Sequence, residues 1–155
     1  MPNFNDFMKA REKAAEAYVR GDGAKVDTIV PHSGAASFHS PAGDTVTGGE
    51  AVAERYLRDA AAFHDNGSSR FDVLQQGESG SIGFWTGFQI ANVQIGDMPK
   101  PVEMRIRVTE VFRRIDGDWR MIHRHADAQK DEARRIAANI AELPAQVRGS
   151  AERLH

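Results

Sequence analysis

Apolar residues recur at three- and four-residue spacing from the start of the chain. Phe4, Phe7, Met8, Ala14, Ala15, Tyr18 and Val19 share one face, and Arg11 stands in the same stripe. That period predicts an amphipathic helix with a charged back. Gly21-Asp22-Gly23 ends it, and Ala24 to Val30 reads as a short second helix stopped by Pro31. Ser37-Phe38-His39-Ser40 reads as a short strand running into a Pro41-Ala42-Gly43-Asp44 turn. Thr47-Gly-Gly-Glu50 has capping-box spacing and predicts a third helix with Val52, Tyr56, Ala60 and Phe63 on one side. Asp65 to Ser68 breaks that helix.

Beyond this break the period changes from 3.6 to 2. Phe71 to Gln75, Ser81 to Gln94, Val102 to Ile115 and Trp119 to Asp127 read as strands, with Met98 to Pro101 as a loop. In the second of these, Phe84, Thr86, Phe88 and Ile90 alternate with Gly83, Trp85, Gly87 and Gln89, a pattern expected of a strand covered on both faces. Gln129 to Leu143 returns to helical spacing before Pro144, and the residues after it read as a loose tail. Helices followed by a run of neighbouring strands predict an α+β domain, with helices packed on one face of a mostly antiparallel sheet. The expected division is a domain over 1–128 and a C-terminal helix and tail over 129–155.

The stretch Arg107 to Asp127 holds the candidate chemistry, because strand register decides which side chains meet. A two-residue turn at Asp116-Gly117 sets Ile115 opposite Asp118. Counting back, Phe112 meets Met121, Glu110 meets His123, Val108 meets His125 and Ile106 meets Asp127. One face then gathers Met104, Ile106, Val108, Phe112, Trp119 and Met121 with Glu110 and the histidines. The other face takes Arg105, Arg107, Thr109, Arg113, Arg120 and Arg124, a segregation that favours this register. A three-residue loop with Gly117 left-handed is also compatible; it would pair Glu110 with Ile122 and turn the histidines to the arginine face.

Under the first register Glu110 is an acid in an apolar row. Burial raises a carboxyl pKa, so Glu110 with His123 becomes a candidate for general acid–base chemistry on a small organic molecule. The plainer alternatives are a structural Glu–His hydrogen bond, or an exposed acid paired with Arg107 or Arg124. His123, His125 and Asp127 would share a face, and imidazole with carboxylate suits zinc or iron. The spacing resembles part of the metallo-β-lactamase and cupin motifs, but Ala128 stands where the first needs a histidine, and the cupin glutamate is missing. His32, His39 and His64 are scattered, so no metal and no cofactor are expected.

Composition removes several classes of function. Twenty basic residues against twenty-two acidic, a net charge of −2, give no electrostatic case for nucleic acid or an anionic membrane. The absence of cysteine rules out disulfides, thiolate catalysis and cysteine-ligated zinc. No apolar run approaches the roughly 20 residues of a membrane span, and the charged start does not read as a signal peptide. A cytoplasmic protein is expected.

Several pieces together resemble a known family. Tyr18-Val-Arg-Gly-Asp22 follows the first helix, Phe38 to Gly43 makes the strand-turn, and Gly48-Gly-Glu50 precedes the third helix. Thr109-x-Val111-x-Arg113-Arg-x-Asp116-Gly117-x-Trp119-x-x-x-His123-x-His125 closes the series. In this order they resemble the SnoaL-like branch of the NTF2-like superfamily over about residues 6 to 128. They are also similar to the association domain of calcium/calmodulin-dependent protein kinase II. The resemblance implies an NTF2-like cone, a curved antiparallel sheet wrapped around three helices, with a pocket between them and a homodimer through the sheets.

Members of that superfamily include ketosteroid isomerases, polyketide cyclases and dehydratases, beside many with no known activity. In isomerases of this fold a general-base aspartate precedes the proline of the strand-turn. Ser40 holds that place here, and a serine does not take a proton from carbon at neutral pH. Tyr18 falls about a turn later than the isomerase tyrosine, whereas the isomerase's second acid lies near Glu110. The expectation is therefore a small-molecule pocket with isomerase, cyclase or lyase chemistry carried by Glu110 and His123. Tyr18, His39, Ser40, Tyr56, Phe88, Phe112, Met121 and His125 would contact the ligand. The alternative is a non-catalytic ligand-binding or oligomer-assembly domain.

Overall fold

The computed structural model describes residues 3–128. The expected C-terminal helix and tail lie outside them. Helix α1 spans Phe4–Tyr18, and Asn3 caps it by accepting a hydrogen bond from the Asp6 amide. The short α2 (Ala24–Thr28) leads to a narrow hairpin, β1 (Ser37–His39) and β2 (Thr45–Thr47). Helix α3 (Gly49–Ala60) follows, and then four long strands: β3 (Ser68–Ser79), β4 (Ile82–Val93), β5 (Val102–Ile115) and β6 (Asp118–Ala128). They form one curved, unclosed sheet in the order β2-β1-β6-β5-β4-β3. Every neighbouring pair is antiparallel except β1 and β6.

Three local readings change. Strand β2 contains Thr47, so the expected capping box does not form; Gly48, at φ +94°, starts α3 without a side-chain cap. The parallel β1–β6 pairing is a second departure, since it brings the Ser37–His39 segment beside His123 and His125. The third concerns β4, whose two rows are not equally covered. Gly83, Trp85, Gly87 and Gln89 are buried, while Phe84 is 37% exposed and Phe88 half-buried on the other face. Space decides this: a Cβ at Gly83 would lie 2.5 Å from the Phe4 ring, so α1 packs closely on the glycine row.

The core fills the concave face. At one end Phe4 packs edge-on to Phe112 and Trp119, and Phe7 to Phe112, with centroids 5.0–5.8 Å apart. A second, smaller apolar cluster gathers Val19, Ala91 and Val93 with Tyr18 and Phe63.

The β5–β6 hairpin confirms the two-residue turn. Asp116 (φ 52°) and Gly117 (φ 89°) are both left-handed, as a type I′ turn requires, and Ile115 pairs with Asp118 and Phe112 with Met121. The register then slips. Val111 pairs with His123, so Ile122 is an extra residue on β6, a β-bulge. Glu110 consequently faces Arg124, Val108 faces Ala126 and Ile106 faces Ala128. The expected Glu110–His123 contact is not made: beyond the bulge, Arg124 turns inward and both histidines turn outward.

Candidate functional site

Glu110 is fully buried on the concave face, and every hydrogen-bonding direction of its carboxylate is used. Arg11 of α1 donates through Nε to Oε1 at 2.9 Å and through Nη2 to Oε2 at 2.8 Å. The Trp85 indole donates to Oε1 at 2.8 Å, and Arg124 Nη1 donates to Oε2. Arg124 reaches further with Nη2 to Gln89 Oε1 at 2.6 Å, and Gln89 donates to Ser69 at 2.9 Å. Arg11 also lies over the Phe71 ring at 5.5 Å, and Phe71 stacks on Trp85 at 4.3 Å.

Electrostatics follow from this geometry. Burial alone would raise the Glu110 pKa, but the Arg11 and Arg124 charges and the hydrogen bonds from Arg11 and Trp85 outweigh it. The carboxyl is held down at about 2. Glu110 is thus a fixed anion at neutral pH, whereas a proton carrier needs a pKa nearer the working pH. One carboxylate faces two guanidinium groups, leaving an excess positive charge in the interior. Arg11 Nη1 is buried without a hydrogen-bond partner among the described residues.

Arg11 and Arg124 form part of the wall of a cavity of about 280 Å³ between α1, α3 and the sheet. Tyr18, Phe38, Tyr56, Phe63, Ile106 and Met121 supply most of its apolar lining, with Pro41 from the strand-turn. Asp59 is the one carboxylate among the described lining residues, and Arg55 Nε donates to it at 2.7 Å. Burial pushes the phenols of Tyr18 and Tyr56 far above the usual tyrosine range.

The sequence-derived residues divide clearly. Tyr18, Tyr56 and Met121 line the cavity. Glu110 sits behind its wall, screened by the arginines, and Phe112 lies deeper in the aromatic cluster. Ser40 is buried beside the cavity residue Pro41, but its hydroxyl donates to Asp44. Phe88 faces the convex side, under the Arg105 guanidinium at 4.3 Å. His39, His123 and His125 are also on the convex side, so none of them contributes to the cavity. Among the described residues no group of three metal-ligating side chains is arranged to hold an ion. Arg107, an alternative partner for Glu110, instead holds Asp127 at 2.7 and 2.9 Å.

Arg11, Gln89 and Trp85 are the polar residues around Glu110 that the sequence did not place in the site. Arg11 did carry a signal, since a cation within the apolar stripe of a helix must find a buried partner. Arg124 was named beside Arg107 as an alternative partner for Glu110, and it is Arg124, turned inward beyond the bulge, that makes the pair.

Comparison with known proteins agrees with this architecture. No curated protein matches the chain by sequence. Among solved structures, a protein of the NTF2-like family from Streptomyces avermitilis, provisionally assigned as a dehydratase, is 18% identical with a TM-score of 0.66, covering 81% of this chain and 95% of its own. An NTF2-like superfamily protein from Salmonella enterica serovar Typhimurium is 16% identical with a TM-score of 0.66, covering 80% and 87%. The CaMKII hub of S. rosetta is 17% identical with a TM-score of 0.63, covering 83% and 100%. At these identities the likeness is one of fold. No helix among the described residues is long and apolar enough to cross a membrane. The SnoaL-like domain model matches residues 8–127, and the chain therefore belongs to the SnoaL-like family, with an NTF2-like fold.

Proposed function

We propose that the cavity binds a small, largely apolar molecule carrying an anionic group, most simply a carboxylate, and that Glu110 organises the site without transferring protons. One observation carries this reading: two guanidinium groups share one carboxylate, and Arg11 Nη1, in a cavity-lining residue, is buried with no partner among the described residues. A buried donor without a partner costs free energy that a ligand oxygen would recover. An excess buried charge favours an anion for the same reason. The apolar lining suits the body of such a ligand.

The isomerase, cyclase or lyase chemistry expected from the sequence would need a different proton carrier. Glu110 is held ionised, and His123 and His39 are on the opposite face.

The test uses hexanoate and hexanol as probes of matched length. Hexanoate is expected to raise the unfolding temperature and hexanol to have much less effect. Arg11→Lys, which keeps the charge but loses the planar fork, should weaken hexanoate binding at least tenfold. Equal binding of both probes, or binding of neither, would overturn the reading.

A second reading, assembly through the convex face, has its own support. Leu74 (63% exposed), Ile82 (39%) and Phe84 (37%) are large apolar side chains left open there. Sedimentation of wild-type protein and of Phe84→Lys tests it: an oligomer that the substitution dissociates is expected, and a monomeric wild type would exclude it.

A further inference from the structure

The three imidazoles excluded from the cavity meet one another. His39 on β1 stands 5.1 Å, ring centroid to centroid, from both His123 and His125 on β6, with both pairs edge-on at 76° and 79°. His39 and His125 are register partners, and His123 pairs with Ser37. Ser37 Oγ lies 2.6 Å from His123 Nδ1, and Thr45 Oγ1 lies 2.7 Å from His39 Nδ1. The cluster therefore sits on the seam between the β1–β2 hairpin and the rest of the sheet. That seam is short: three register pairs in a parallel ladder connect β1 to β6.

We propose that His39, His123 and His125 form a pH-sensitive latch that loosens the β1–β2 hairpin from β6 in mildly acidic medium and thereby opens one wall of the cavity. Phe38 and Pro41, both cavity-lining residues, belong to this hairpin and its turn. Phe38 lies on the opposite face of β1 from His39 and packs on Tyr56 with centroids 4.7 Å apart. Movement of the strand by the outer cluster is therefore transmitted to the inner wall.

Charge around the cluster decides the direction. Neutral imidazoles pack edge-to-face without penalty, whereas two or three imidazolium ions at this spacing repel. The facing groups offer little compensation. On β5, Thr109 and Val111 stand opposite His125 and His123 and carry no charge. Asp127 lies 3.7 Å from His125 Nε2 but is already held by Arg107. Beneath the sheet, Glu110 is neutralised by Arg11 and Arg124, and Arg124 adds a cation on β6 itself. In the hairpin turn, Asp44 is held by Arg55, and β2 presents Thr45 and Thr47. Burial, followed by His39 and His125, pushes the His123 pKa below its usual value, with Glu110 and the Ser37 contact opposing. A folded pKa below the unfolded one means docking is strongest above the ordinary imidazole range and weakens as pH falls through it.

Amide hydrogen exchange on the full chain tests the latch, compared at about pH 7.5 and about pH 5.5 after correction for intrinsic rates. Residues 37–47 are expected to lose protection roughly tenfold at the lower pH, the scale of a like-charge contact near a protein surface, while β4 and β5 keep theirs. The double variant His39→Gln, His125→Gln should show no such step. Unchanged protection of the wild-type hairpin, or the same loss in the variant, would overturn the proposal. Should the variant fail to fold, proton NMR titration of the wild-type rings decides: staggered midpoints support coupling, and three independent ordinary titrations exclude it. Exchange needs no ligand, so a cavity that does not retain hexanoate leaves this result standing; only the latch's effect on ligand access rests on the reading of the cavity as a binding site.

Discussion

Replacing Glu110 with glutamine is the most informative single change. The substitution keeps size and removes charge, leaving Arg11 and Arg124 as two buried cations without their shared anion. Breaking a buried pair by removing one partner costs about 3–5 kcal/mol. The lowered pKa expresses the same interaction on another scale. A carboxyl held down from its ordinary value of 4.5 to about 2 is worth about 3 kcal/mol, at about 1.4 kcal/mol per pH unit. The two agree in scale, and either is a large share of an ordinary domain's stability of about 5–15 kcal/mol. For a chain of this length, the loss should lower the unfolding temperature by about 6–20 °C. Urea unfolding followed by tryptophan fluorescence is the appropriate assay, since the Trp85 indole donates to the same carboxylate. A loss under about 1 kcal/mol, with the emission unchanged, would refute the argument that Glu110 organises this interior.

Further expectations follow from particular contacts. Because the Glu110 pKa is lowered on folding, its contribution is complete above the ordinary carboxylate range and disappears as pH falls from about 4.5 towards 2; acid unfolding of Glu110→Gln should lack that part of the slope. Gly87→Ala would place a Cβ 2.2 Å from the Asp72 carbonyl oxygen, forcing β3 to shift at its bulge, and a loss of about 1–3 kcal/mol is expected in urea. Gly117→Ala puts a side chain at φ 89° in the β5–β6 turn; it should cost about 1–2 kcal/mol without changing the sheet's circular dichroism.

Much of the fold was legible because periodicity reports burial directly. The stripe from Phe4 to Val19 is the buried face of α1, and alternation identified the four long strands. Turn chemistry was equally direct, since Asp116-Gly117 accepts the left-handed backbone that a two-residue hairpin needs. Alternation could not say which row of β4 faces in. Phe84, Phe88 and Ile90 make the more hydrophobic row, yet the glycine row is inside, where Phe4 needs the room at Gly83. Hydrophobicity ranks side chains by transfer from water, while close packing selects them by shape. The short strand β2 was missed because Thr47-Gly-Gly-Glu50 has capping-box spacing, which assigned Thr47 to the start of a helix.

The bulge at Ile122 explains why the site changed character while its acid did not. Counting from the turn placed Glu110 on the concave face, where it is. The same counting is valid for β6 only as far as Met121, because one extra residue reverses every later side chain. Ile122 gives no warning, since an isoleucine is as ordinary in a regular strand as in a bulged one. A regular ladder would have set an imidazole against Glu110 and left a titratable pair. The bulge sets a guanidinium there instead, and with Arg11 it makes the interior cationic and keeps the acid ionised at neutral pH. It also moves His123 and His125 to the seam with β1, beside His39. A single inserted residue thus separates what would have been one acid–base site into two: an arginine-bearing cavity on the concave face, and a histidine cluster on the convex one. On the proposed reading, the histidines act on strand docking while the two arginines hold the charge of a ligand.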